Sequence, residues 1–95
     1  MHFVYILASR PGGALYVGET SDLARRVEQH RSGCGSLHTA KYNIRTLAWY
    51  QSFDHWSEAK VFERRLKKWR RAWKTALILD ANPNWKDLST TLGHF

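Results

Sequence analysis

Phe3-Val4-Tyr5-Ile6-Leu7-Ala8, Arg10-Pro11-Gly12-Gly13 and Ala14-Leu15-Tyr16-Val17-Gly18 follow one another at the start of the chain, and their reading decides the fold. The first and third are rich in β-branched and aromatic residues, and the second supplies turn chemistry, so the stretch predicts an antiparallel hairpin. Just beyond it, Thr20 or Ser21 is placed to cap a helix over about 21 to 32 that carries Asp22 in its first turn and stops at Gly33. Leu23, Val27 and His30 fall on the inner face of that helix.

Ser32 to Lys41 holds two glycines, two serines and a threonine, a composition that favours a loop. Arg45 to Phe53, with Leu47, Trp49 and Tyr50 inside it, reads as a third strand closing a small sheet. Trp56-Ser57 opens a second helix, with Ser57 as cap and Trp56 stapled against Val61. Ala59, Phe62, Leu66, Trp69 and Trp73 continue it at steps of three and four, an amphipathic stripe with Lys and Arg on the other faces. The pattern runs on through Ala76, Leu77 and Ile78 to Asn82-Pro83, which is long for a small domain, so a bend is expected near Trp69 to Trp73. The order strand, strand, helix, strand, helix, helix and tail predicts an α+β domain, one sheet covered by helices.

At 95 residues the chain holds one core, and a single domain over 1–95 is expected. Hydrophobic residues make up 43% and aromatics 14%, five of them Trp, enough apolar surface to fold without a disulfide or structural zinc. Cys34 is the lone cysteine, which excludes an internal disulfide and fits a reducing compartment; cytoplasm is the expected location. The apolar run at the N-terminus is short and strand-like, so neither a signal peptide nor a membrane span is expected. Fifteen Lys and Arg against eight acids give a net charge of +7, a field that attracts polyanions, nucleic acid first among them.

Asp22, Arg26 and His30 recur at steps of four and form a column on the first helix. Such a column is either a solvated salt-bridge face or a cradle for a phosphate, with Arg26 offering a planar fork of donors and His30 a proton donor or acceptor. Tyr5 and Tyr16 are first of all strand aromatics. Glu63 is the only acid between Lys60 and Lys74. It is either an i,i+4 partner of Lys67 or a ligand for a hard cation, since Mg²⁺ is held by one or two carboxylates plus waters and phosphate. Lys60, Arg64, Arg65, Lys67, Lys68, Arg70, Arg71 and Lys74 could line a groove that tracks a phosphate backbone, with burial favoured over base stacking for Trp69 and Trp73. Walker-type glycine loops, Ser-His-Asp arrangements and zinc spacings are absent.

Phe3-Val4-Tyr5, the hairpin, Tyr16-Val17-Gly18-Glu19-Thr20, Leu23, Arg25-Arg26 and His30 together resemble the signature of the GIY-YIG nucleases. Thr39-Ala40-Lys41-Tyr42, Leu47-Ala48-Trp49-Tyr50, the run Phe62 to Lys74 and Asn82-Pro83-Asn84-Trp85-Lys86-Asp87-Leu88 resemble stand-alone bacterial members of that family. Phe3 stands where the family name has its first glycine, and Val4 and Val17 stand in the isoleucine positions.

The resemblance implies a three-stranded antiparallel sheet flanked by helices, and an endonuclease cutting one strand at a time with Mg²⁺ or Mn²⁺. Tyr5 and Tyr16 match the motif tyrosines, and Tyr5 the group that activates or orients the attacking water. Arg26 matches the arginine that stabilises the pentavalent phosphoryl group, His30 its helper and Glu63 the metal-binding glutamate. Asn82 is a candidate match to a downstream asparagine. Arg25, Lys41, Lys67, Lys68, Arg70 and Arg71 are the expected nucleic-acid contacts, with DNA favoured over RNA. The rival readings are a catalytically weak nucleic-acid-binding module that acts with a partner and an interaction protein pairing its Trp-rich stripe with another helix. Monomer and homodimer are both open.

Overall fold

The computed structural model describes residues 1–33 and 41–92. Strands β1 (His2–Ala8), β2 (Leu15–Thr20) and β3 (Thr46–Phe53) form one antiparallel sheet in the order β2-β1-β3. Helix α1 (Leu23–Arg31) lies between β2 and β3 in sequence, and α2 (Trp56–Lys68) and α3 (Arg71–Ala81) follow β3. A 3₁₀ helix over Leu88–Leu92 closes the described chain. The α+β class and the hairpin at its head are as the sequence predicts.

The central strand explains the arrangement. Val4, Tyr5, Ile6, Leu7 and Ala8 have no exposure at all, so both faces of the sheet must be covered. Alternation sends Val4, Ile6 and Ala8 toward Ala59 and Leu66 of α2 and Ile78 of α3, while Tyr5 and Leu7 meet Leu23 and Val27 of α1 with Ile44, Leu47 and Leu92. A bulge opposite Ile6 and Leu7 shifts the register of β3, so that Trp49 pairs with Ile6 and Leu47 with Leu7. Trp49 then packs on the α2 side and Leu47 on the α1 side. The strand thus serves both cores.

Three local expectations are corrected. Helix α1 starts at Leu23, and its N-cap is Asp22, whose carboxylate accepts from the Arg25 N–H at 3.2 Å; the Thr20 hydroxyl instead bonds the Asp22 backbone. A carboxylate is the stronger cap at a helix N-terminus because it also answers the dipole. Helix α2 is capped by His55 without a side-chain bond, so Ser57 does not cap it, and Trp56 and Val61 are 54% and 46% exposed, so they form no staple. Trp73 leaves the core stripe, 55% exposed, because the chain turns extended at Trp69 and Arg70 before α3 begins. That turn is the expected break. Neither Pro nor Gly makes it: the Trp69 ring packs edge-on against Phe62, and Arg71 donates to the carbonyls of Gly12 and Gly13 at the hairpin tip. The loop expected over Ser32 to Lys41 falls largely on 34–40, outside the described residues.

The tail is fastened to the sheet by side chains. Asn82 donates to the Ala48 and Lys86 carbonyls and accepts from the Lys86 N–H. Asp87 accepts from the Leu47 N–H at 3.3 Å and the Ser89 N–H at 3.1 Å, and it pairs with Arg31 of α1. Burial pushes the Asp87 carboxyl up, but the Ser89 hydroxyl and N–H, the Leu47 N–H and Arg31 outweigh it and hold the group below its ordinary value. A depressed carboxylate stabilises the fold above its unfolded pKa, so this contribution is complete above pH 3.8 and fades as pH falls toward the lower folded value. Asp87→Asn is expected to cost about 1–3 kcal/mol in urea unfolding at neutral pH. The gap from wild type should shrink in acid below pH 3.8; an acid-independent gap would deny the carboxylate its charged role.

Candidate active site

Gly18 of β2 stands opposite Tyr5 of β1. A Cβ at position 18 would lie 2.4 Å from the Tyr5 Oη and 2.5 Å from its Cζ, so only glycine leaves room for the phenol to lie across β2. The ring is fully buried, and its Oη is 3.3 Å from Nε2 of His30, which α1 buries to 2% exposure. Tyr16 completes the group: its ring centroid is 5.1 Å from that of His30 and 6.4 Å from that of Tyr5. Of the two readings open for His30, a surface column with Arg26 and the inner face of α1, its burial selects the inner face, and the Tyr5 hydroxyl meets its imidazole.

Burial raises the Tyr5 pKa, and Tyr16, Glu63 and Glu19 raise it further while Arg26 opposes them. The phenol is therefore held neutral. Burial lowers the His30 pKa, with Arg26 adding to the effect, so the imidazole is neutral at pH 7. Arg26, Glu63 and Glu19 thus act on the phenol through their charges. Arg26 itself is exposed. With Arg25, Thr20, Ser21, Asp22 and Gln29 it lines a polar pocket of about 190 Å³ at the start of α1, to which two guanidinium groups give a cationic side.

Glu63 comes to the group from α2, on the edge of the sheet formed by β2. It is 7% exposed, with Lys60 Nζ 3.7 Å from one carboxylate oxygen and Lys67 Nζ 3.7 Å from the other. Glu63 thus has both lysines, and the single Lys67 pair foreseen from its spacing is half of the arrangement. Lys60 also lies 3.8 Å from Glu19, whose side chain is 8% exposed and 3.5 Å from His2 Nδ1. Glu19 carried no role in the sequence reading, yet its inward position on β2 opposite Val4 was the available signal. Among the described residues there is no cluster of three or more His, Cys, Asp or Glu. The donor chemistry fits a hard divalent ion all the same: the nearly buried Glu63 carboxylate offers charged oxygens that a divalent ion could take over from the two ammonium groups, and Mg²⁺ keeps most of its shell as water and phosphate.

Asn82 does not join this group. Its side chain is 4% exposed, spent on backbone partners, and bonded to β3 at the edge of the sheet opposite β2. The basic residues divide likewise. Arg71 is tied to the hairpin carbonyls, Lys67 to Glu63, and Lys74 Nζ to the Lys67 carbonyl at 3.3 Å. Arg25, Lys41, Lys68 and Arg70 are exposed; Lys41 lies over the Tyr42 ring and Arg70 over the Trp73 ring. Among the described residues no helix is long and apolar enough to cross a membrane.

The chain matches the GIY-YIG catalytic domain over residues 1–76. It is 42% identical over 78 residues to a UPF0213 protein of Halobacterium salinarum, covering 82% of this chain and all of that one. A UPF0213 protein of Clostridium perfringens is 35% identical over 78 residues, 82% of this chain and 83% of its own. The solution NMR structure of a UPF0213 protein from Bacillus halodurans superposes with a TM-score of 0.57 at 31% identity, over 95% of this chain and 93% of that one. With a buried tyrosine lying across the glycine of the second strand and the family's domain spanning most of its length, this chain belongs to the GIY-YIG nuclease family.

Proposed function

We propose that residues 1–95 act as one metal-dependent endonuclease domain that hydrolyses phosphodiester bonds in nucleic acid, DNA in preference to RNA, one strand at a time. The observation that carries this reading is the buried Tyr5–His30 pair, both groups held neutral by burial, with Gly18 making room for the phenol. Phosphodiester hydrolysis needs an oriented water, a cation for the developing negative charge and a metal near the reacting oxygens. The residues divide those tasks among themselves.

Glu63 is the residue that would hold Mg²⁺ or Mn²⁺, and the ion would supply charge stabilisation and a more acidic water. Arg26 and Arg25 grip the phosphate at the start of α1. Tyr5, whose phenolate form is disfavoured, is a poor base by itself. It serves as a relay: its oxygen accepts the proton of the attacking water while its own proton passes to Nε2 of neutral His30. Tyr16 packs on both rings and fixes their geometry. Arg25, Lys41, Lys68 and Arg70 contact the phosphate backbone of the substrate, with Lys67 released to it when the metal ion takes over the Glu63 carboxylate. Arg71, bound to the hairpin tip, positions α3 and contacts the substrate less.

A nicking assay on plasmid and labelled oligonucleotides with Mg²⁺, Mn²⁺ or EDTA is the direct test. Wild type should cut only with metal, Glu63→Ala should not cut, and Arg26→Ala should lose about 10²–10³ in rate with its circular dichroism unchanged. Salt-sensitive binding with no product in any metal would reject the enzyme and leave the binding module.

The relay has its own signature. His30 should titrate below 6.5 by NMR, and the acid limb of the pH–rate profile should lie below that value, since protonation of the imidazole as pH falls removes the acceptor. His30→Ala should lower the rate by about 10²–10⁴ and erase that limb. A His30 that stays charged at neutral pH would sink the relay without touching the metal site.

A further inference from the structure

We propose that the outer flank of α2 is an interface with a second copy of this chain. Phe53, Ser57, Glu58, Val61, Phe62 and Arg65 line a groove of about 390 Å³ there. Val61 is 46% exposed at its centre and Phe62 is half-buried beside it. Glu58, Val61, Phe62 and Arg65 fall at steps of three and four, one continuous stripe on the helix. Five residues of helix rotate about 140° between Glu58 and Glu63, so this stripe and the Glu63 flank lie on different sides of α2.

The stripe is complementary to itself. An acid stands at its N-terminal end, a base at its C-terminal end, and two apolar side chains lie between. A second α2 laid antiparallel about a two-fold axis between Val61 and Phe62 sets each Glu58 against the Arg65 of the other copy and each Val61 against a Phe62. The antiparallel arrangement also opposes the two helix dipoles favourably. Among the described residues neither Glu58 nor Arg65 has an ion-pair partner in its own chain. A two-fold partner uses every charge of the stripe once. Nucleic acid suits this face poorly, because Glu58 repels phosphate and the centre is apolar.

A stable interface buries about 800 Å² on each side, more than one groove provides, so the expected state is a concentration-dependent monomer–dimer equilibrium. The Glu63 flanks remain open in such a dimer, so it can exist whether or not the chain cuts nucleic acid.

Sedimentation equilibrium of the full chain over a wide concentration range is the test, with circular dichroism to confirm folding. Wild type should dimerise reversibly. Glu58→Arg and Arg65→Glu should each weaken the dimer about tenfold or more, since each places like charges together twice. The double exchange Glu58→Arg with Arg65→Glu should restore it. A wild type that stays monomeric at millimolar concentration, or a double exchange no tighter than either single one, would overturn the proposal. Loss of nicking with dimerisation intact would count against the proposed enzyme and leave this interface standing.

Discussion

The missing side chain at Gly18 is the constraint on which the site depends. The central strand is buried on both faces, and a tyrosine in such a strand must place a polar oxygen somewhere. Gly18 lets the phenol cross the neighbouring strand, so its hydroxyl emerges beside His30. Any side chain at position 18 would occupy the atoms of the Tyr5 ring. The strained contact would be relieved by moving either β2 or the ring, and both moves separate Tyr5 from His30.

Burial then sets the chemistry of the pair. The same removal from water raises the phenol and lowers the imidazole, because in each case the charged form is the one penalised. The outcome is two neutral groups in hydrogen-bond reach, one able to give a proton and the other able to take it. Arg26 acts on both, favouring the phenolate and disfavouring the imidazolium, so it lowers both groups together. The exposed Arg26 guanidinium at the start of α1 is therefore part of the electrostatics of the buried pair.

Much of this was legible in the sequence, and what was not has physical causes. The hairpin, the third strand, the inner face of α1 and the break after Lys68 follow from β-branched runs, turn residues and helical spacing. Tyr5, Tyr16, Arg26, His30 and Glu63 were all named from the chain, although periodicity alone left His30 suspended between a surface column and a core face. Its burial depends on how α1 seats against β1, which no local pattern encodes. Asn82 was ambiguous for the same reason: only the tertiary structure assigns its amide to the Ala48 carbonyl of β3. Trp73 was misplaced because a regular helical stripe was extended across a break, and the break rotates everything after it. The cap at Asp22 and the bare start of α2 are decided by backbone angles at single residues, finer than composition resolves.

Lys60 links β2 to α2. Its ammonium lies between the Glu19 carboxylate on β2 and the Glu63 carboxylate on its own helix, so one cation holds the helix to the sheet edge and occupies the charge that Glu63 would present to a metal ion. Two nearly buried carboxylates without a cation between them would repel across a low-dielectric gap, and the helix would be driven from β2. A divalent ion held by Glu63, as proposed above, would supply that positive charge itself. Lys67, more exposed than Lys60, is then the ammonium freer to turn outward, while Lys60 keeps Glu19. The two lysines thus balance the two nearly buried carboxylates, which accounts for a Glu63 this buried on a helix rich in cations.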